Sequence, residues 1–252
     1  MKFLKKFNQN FLINYSYLNF ILKFVKPELK VIYFEIGFGS GNLSKNIILN
    51  LSFYNILLYF IEIDNYFFIK FNKIYKKNII NFNIFNFNFF FFKKFFYFKY
   101  KLYIIGNIAF NISSNLLFYL IKFIKYINNQ FFMLEDKYFN KNINSVTYLS
   151  ILIKSFYKIK KIFHIKKNFF FPKPNINSVF INFKPLYLSL INISDFYFFK
   201  KFIKYFLKNK NKLNNIINIS RNDIYTNDKL NLLFIKKYIL IFYKFKKKFI
   251  KF

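Results

Sequence analysis

Three of the chain's four glycines fall within one heptapeptide, EIGFGSG at residues 35–41, as Gly37, Gly39 and Gly41. In a chain so poor in glycine, that clustering is hard to ascribe to drift. Glycine lets the backbone turn through positive φ and lets a ligand come close to the main chain. A helix that follows such a turn offers free N–H groups at its start. Further along, the run IEID puts Glu62 and Asp64 at the end of a second apolar segment. An acidic residue at a strand tip can accept both hydroxyls of a ribose. As a bare pattern, G-x-G-x-G serves NAD, FAD or S-adenosylmethionine alike. Together with the acidic tip it predicts a nucleoside cofactor bound at Gly37, Gly39 and Glu62.

The fourth glycine, Gly106, opens GNIAFNIS, residues 106–113. Asn107 is followed two residues later by a small residue, Ala109, and then by the aromatic Phe110. The run resembles the N-[IL]-P-[YF] motif of amino-methyltransferases, and the chemistry suits it. The exocyclic amine of adenine is a poor nucleophile, because its lone pair is delocalised into the ring. Two acceptors on its hydrogens can draw the nitrogen towards tetrahedral geometry and aim the lone pair at a sulfonium methyl. The Asn107 side-chain oxygen and the Ile108 carbonyl are the candidates, with Phe110 stacking on a base extruded from its helix. Such catalysis is positioning plus electrostatics. The plainer reading makes Asn107 a helix cap and Phe110 a core residue.

The segments KKFNQNFLIN (residues 5–14), EIGFGSG, IEID, GNIAFNIS and FFPKPNINSV (residues 170–179) follow one another in this order, and FLKNKNKLNN (residues 206–215) lies in the tail. Together they resemble the ribosomal RNA adenine dimethyltransferases of the KsgA type over nearly the whole chain. The resemblance implies an S-adenosylmethionine cofactor held by Asn10, Leu12, Gly37, Glu62 and Asn107. It also implies an acceptor for the cofactor's adenine amine at Asn83, where the family has Asp. Phe170 matches a late aromatic that packs on the target base beside Phe110. Ala109 stands for the family's Pro and should leave its loop looser; Asn8 stands for a Gly and Asn177 for an Asp. The implied activity is N6-dimethylation of two adjacent adenines near the 3′ end of small-subunit ribosomal RNA, on an immature subunit, by a cytoplasmic monomer. A large-subunit adenine methyltransferase of the resistance type, a non-catalytic RNA-binding assembly factor and, last, an NAD-linked dehydrogenase are the competing readings.

These residues need a frame. VIYFEI (31–36) and ILLYFIEI (56–63) are short apolar runs of the kind that form buried strands. Further strands are expected at 79–85, 101–106 and 131–134, and helices at 41–51, 113–127 and 145–157. That alternation predicts an α/β fold, a Rossmann-like parallel sheet wrapped by helices. The runs 159–165 and 176–184 lack a helix between them and predict an antiparallel hairpin at one edge. Residues 86–99, NFNFFFFKKFFYFK, read as a biased loop between core strands. Past Pro185, segments 195–208 and 228–243 read as helices rich in Lys. The expected division is a cofactor-binding domain over 1–184 and a small basic helical domain over 185–252 that docks on RNA through Lys208, Lys210 and Lys212.

Composition sets the outer bounds. The 252 residues include 45 Phe, 21 Tyr and no Trp. The crowding of Phe, Ile, Asn, Lys and Tyr follows from A/T-rich codons, so a Phe run by itself says little. A formal charge of +33 implies self-repulsion unless a polyanion is at hand, and nucleic acid is the natural partner. The absence of Cys excludes disulfides, thiolate metal sites and Cys nucleophiles. The lone His164 cannot build a metal cluster. Apolar stretches are broken by Asn, Lys, Glu or Asp, and no membrane-spanning helix is expected.

Overall fold

A run such as VIYFEI, apolar at nearly every position, suits a strand covered on both faces. In a computed structural model of the chain, residues 10–51, 53–54, 56–75, 82–86, 88–91, 99–186, 189–208 and 232–249 are described. The elements are β1 (Phe11–Leu12), α1 (Tyr15–Leu22), β2 (Val31–Ile36), α2 (Asn42–Leu51), β3 (Leu58–Glu62), α3 (Asn65–Tyr75), β4 (Phe82–Asn86), β5 (Lys101–Asn107), α4 (Phe110–Ile121) and β6 (Ile127–Glu135). A one-turn helix α5 (Asp136–Tyr138) then runs into a π-helical turn, Phe139–Asn144. After it come α6 (Tyr148–Lys154), β7 (Tyr157–Ile165), β8 (Phe170–Phe171), β9 (Ser178–Pro185), α7 (Phe196–Lys208) and α8 (Leu232–Phe249).

Seven strands form one sheet in the order β4-β3-β2-β5-β6-β9-β7. The pairs among β4, β3, β2, β5 and β6 are parallel, and β9 runs antiparallel to β6. The α/β expectation holds. From β2 the chain builds outward through β3 and β4, then returns to place β5 on the other flank of β2. Between β2 and β5 the winding reverses, and the crevice beyond the strand ends there is where open α/β sheets bind ligands. Two short strands, β1 and β8, pair antiparallel with Leu12 opposite Phe170, and so bring the N-terminal segment to the late loop.

The chain divides into two compact units, Met1–Lys137 with Ile159–Lys184, and Tyr138–Lys158 with Pro185–Phe252. The second thus takes in residues 138–158, which the sequence reading assigned to the first domain. The reason is α6, whose Leu149, Ile151, Leu152 and Ile153 are buried and which packs on α7.

In the first unit the excess of aromatic residues is laid across the strands. On one sheet face Tyr33, Tyr103, Phe131 and Phe180 form a continuous ladder, with successive ring centroids 4.8, 5.4 and 5.5 Å apart. On the other, Tyr59 stacks between Phe34 and Phe85. Offset-stacked pairs contribute about 0.5–1.5 kcal/mol each beyond their buried area. The inward tyrosine hydroxyls are satisfied, Tyr33 donating to the Lys26 carbonyl and Tyr103 to that of Phe24.

β6 begins at Ile127, earlier than the 131–134 expected, because its polar residues pair across the sheet: Asn182 Nδ2 donates to Asn129 Oδ1 at 2.5 Å and to the Gln130 carbonyl at 3.3 Å. α4 accordingly spans Phe110–Ile121, not 113–127. In the second unit α7 buries Phe196, Phe199, Ile203 and Phe206, and Phe242 and Tyr238 of α8 lie against Phe199 and Phe206. Among the described residues no helix is long and apolar enough to cross a membrane.

Candidate active site

The glycine turn carries φ of +70°, +52° and +81° at Gly37, Gly39 and Gly41, a region where a Cβ is strained. At Gly39 a Cβ would also lie 2.1 Å from the Phe11 ring, whereas at Gly37 it would meet nothing within 4 Å. Gly39 is required by the packing of β1 on the turn, and Gly37 leaves open room at the end of β2. Gly106 has a different purpose: a Cβ there would sit 2.6 Å from the Ile36 carbonyl oxygen, so it lets β5 lie close to β2.

Glu62, at the tip of β3, is 6% exposed. Its Oε2 accepts from the Gly39 N–H at 2.7 Å and its Oε1 from the Asp64 N–H at 2.9 Å. The Ile63 N–H also bonds this carboxylate, and of its about four lone-pair sites one remains for a ribose hydroxyl. Burial pushes the Glu62 pKa up, against the backbone bonds that lower it.

On the floor of the crevice, Glu35 is 4% exposed. Its Oε2 and the Ser40 hydroxyl are buried with no hydrogen-bond partner. Buried polar atoms are rarely left so, and two together beside a glycine turn suit a polar ligand. Burial, opposed by the Ser44 hydroxyl and reinforced by repulsion from Glu62, pushes the Glu35 pKa up to about 8 from an ordinary 4.5. A carboxyl raised in the fold contributes stability fully below its unfolded pKa and loses it as pH rises through the folded one. Melting of the cofactor-free protein should therefore shift to lower temperature between about pH 5 and pH 8, and Glu35→Gln should flatten that dependence. A variant with the parent's pH profile would show that Glu35 does not carry the effect.

Asn107 ends β5 beside β2. Its Nδ2 donates to the Asn10 carbonyl at 2.5 Å, which fixes the amide and leaves Oδ1 as an acceptor. The helix cap of α4 is Ala109, at φ −62° and ψ 142° with no side-chain cap bond, so Asn107 is not a helix cap. Ile108 is held by its N–H on the Met133 carbonyl at 3.0 Å. Asn42, at the start of α2, donates to the Leu12 carbonyl at 3.0 Å and so ties the N-terminal strand over the turn.

Glu35, Gly37, Ser40, Asn42, Glu62, Asn107 and Ile108 line one cavity of about 380 Å³, a size suited to a small-molecule ligand. Asn10, Leu12 and Phe170 line it as well. Gly39, taken up by its packing on Phe11, does not. Phe170 is also 3% exposed and part of the core. Asn83 does not reach the cavity: it pairs with Tyr59, three residues before the end of β4, and its side chain is exposed. Asn88 lines the wall in its stead. Residues 81–88 carry Asn at four positions, and only the register of Asn86 opposite Glu62 shows which follows the strand end. Phe89 and Phe90 form the same wall, so part of the run read as a biased loop shapes the site; residues 92–98 lie outside the described residues. The side chain of Phe110, along with Asn8, Lys210 and Lys212, also lies outside them. Lys208 is exposed at the end of α7. His164 Nδ1 is 3.4 Å from Asp136 Oδ1 on the surface, and neither lines the cavity. Among the described residues no cluster could hold a metal ion.

Open room at Gly37, a clamped acidic tip and unpartnered buried acceptors at Glu35 and Ser40 together fit a ligand with a ribose and a charged amino-acid end. Comparison with known proteins agrees. Residues 1–247 match the family described as ribosomal RNA adenine dimethylase. The Ribosomal RNA small subunit methyltransferase A of Buchnera aphidicola subsp. Schizaphis graminum is 35% identical over 206 residues, 72% of this chain and 67% of its own length. Its counterpart from Buchnera aphidicola subsp. Acyrthosiphon pisum is 32% identical over 187 residues, again 72% of this chain and 67% of its own. In fold, the chain resembles a dimethyladenosine transferase from Plasmodium falciparum, with a TM-score of 0.65 and 22% identity over 94% of this chain and 89% of that one. It also resembles the 23S rRNA methyltransferase ErmE, with a TM-score of 0.68 and 11% identity over 93% and 98%.

Proposed function

The chain belongs to the ribosomal RNA adenine dimethylase family, and on that premise we propose that it places two methyl groups on N6 of each of two adjacent adenines near the 3′ end of small-subunit ribosomal RNA. S-adenosylmethionine is the donor and, when bound, supplies an electrophilic methyl on sulfur. Gly37 leaves it room, Glu62 receives its ribose hydroxyls, Asn88 meets its adenine amine, and Glu35 with Ser40 receives its amino-acid end. Asn10 and Leu12 close the cavity from the N-terminal strand.

The observation that carries the reading is the Asn107 amide, held by the Asn10 carbonyl with Oδ1 left to accept. That oxygen and the Ile108 carbonyl take the two hydrogens of the target amine and turn its lone pair towards the methyl. The methylated nitrogen is far more acidic than the free amine, so no strong side-chain base is required. The small-subunit names of the relatives at 35% and 32% identity favour that subunit over the large one. The second unit, with Lys208, Lys210 and Lys212, docks the RNA, and the protein acts as a monomer.

The test is direct. The protein is incubated with labelled S-adenosylmethionine and immature small subunits, and the RNA is digested to nucleosides. N6,N6-dimethyladenosine from small-subunit RNA is expected. Label confined to large-subunit RNA, or no transfer by a protein that binds the cofactor, would overturn the reading.

A further inference from the structure

Helix α7 has two faces of different character. Phe196, Phe199, Ile203 and Phe206 are buried. The exposed positions are Tyr197, Phe198, Lys201, Lys204, Tyr205 and Lys208. Their spacing of i, i+1, i+4, i+7, i+8 and i+11 is that of a single stripe along a helix. Tyr197 and Tyr205 are 67% and 63% exposed, large values for aromatic rings. The Lys201 ammonium sits 4.6 Å from the Tyr197 ring centroid, over its face. The helix carries no acidic residue, and Asp195 just before it is engaged by Lys246.

A stripe that interleaves cations with ring faces has the chemistry of single-strand binding, in which lysines track phosphates and rings stack on bases. We propose that this face of α7 is a docking surface for an unpaired stretch of RNA. The inference rests on the RNA-methylating reading above and names how the second unit grips its substrate. Tyr197 and Tyr205 lie two turns apart, about 12 Å along the axis, so two separate bases can stack with lysines between them. A duplex keeps its base faces inside its own stack and leaves the rings without partners. An anionic bilayer would also attract the lysines, but a helix lying in a membrane needs a free apolar face, and that of α7 is buried in its own unit.

Full-length protein is titrated with a short unpaired RNA, with a duplex of equal length and with vesicles containing anionic lipid, each over a series of salt concentrations. The unpaired RNA should bind tightest. The Tyr197→Ala/Tyr205→Ala variant should lose about tenfold or more in affinity with the salt slope unchanged. The Tyr197→Phe/Tyr205→Phe variant should bind like the parent. Lys201→Gln/Lys204→Gln should flatten the logarithmic salt slope by about 0.7 per lysine. Melting curves of these surface variants should match the parent. Preference for the duplex or the vesicles, or undiminished binding by the double alanine variant, overturns the assignment. The outcomes separate cleanly from those for the catalytic reading. Methyl transfer with an indifferent stripe removes this proposal alone, and a working stripe without methyl transfer removes the other.

Discussion

Asn107→Ala is expected to lower single-turnover methyl transfer by roughly 10²–10³-fold in a protein that remains folded. The residue touches the cavity at the end of β5, and its nitrogen is already committed to the Asn10 carbonyl. Removing the side chain deletes the acceptor proposed to orient the amine and frees the N-terminal strand of one tether. Binding of S-adenosylmethionine should change much less, since Gly37, Glu62 and Glu35 are untouched. Asn107→Asp is the sharper test. It keeps acceptor oxygens but cannot donate to Asn10, so a carboxylate would face a carbonyl at the 2.5 Å now bridged by a hydrogen bond. If orientation of the amide matters, Asp should rescue little. If Asn107 only fills space, Ala should lower melting temperature in step with activity and Asp should restore both. A single-turnover assay beside a melting curve separates the two, and normal transfer by folded Asn107→Ala protein would rule out the mechanism.

The second large effect is at Glu62. Hydrogen bonds to a charged acceptor are worth about 1.5–3 kcal/mol each, so loss of even one of the ribose bonds proposed for Glu62 should weaken S-adenosylmethionine by at least ~10-fold in Glu62→Ala. The same carboxylate anchors the Gly39 N–H to β3 at 2.7 Å, so the glycine turn should also loosen. Glu62→Gln probes that second part. Its amide nitrogen would face one of the backbone N–H donors, and a buried unsatisfied donor costs about 1–3 kcal/mol. The cofactor-free Gln variant should therefore melt earlier, and the rise in melting temperature on adding S-adenosylmethionine should shrink. Calorimetry giving the parent's affinity for folded Glu62→Ala would remove Glu62 from the cofactor site.

What could be read from the amino acids alone depended on rarity. Gly37, Glu62 and Asn107 stood out because Gly and the acids are scarce in this chain, and all three line one cavity. Asn83 went astray because Asn is abundant and recurs along residues 81–88, so the residue type carried no position. Helices α1 and α3 were not anticipated. Their outer faces display Tyr15, Phe20, Tyr66, Ile69 and Ile74, and apolar residues on both faces erase the 3.6-residue period. Glu35 was hidden by its setting. Inside VIYFEI a single carboxylate looks like a break in a strand, and only the three-dimensional closeness of Ser40 and the glycine turn gives it a purpose. The start of β6 was lost because Asn129 and Gln130 are polar, and their partner Asn182 lies more than fifty residues away in the chain. Phe89 and Phe90 were discounted with the rest of their run, although their location makes them a wall.

Ala109 holds φ at −62°, within the range to which a proline ring would lock it. The two residues therefore specify the same backbone shape and differ in the states that compete with it. Alanine leaves the loop other basins to visit, a difference worth about 0.4–1 kcal/mol where proline fits without strain. Expressed as occupancy, the folded loop would be populated roughly two- to fivefold less against its unfolded alternatives. The loss falls on how often the site is ready, while each ready site turns over as its geometry dictates.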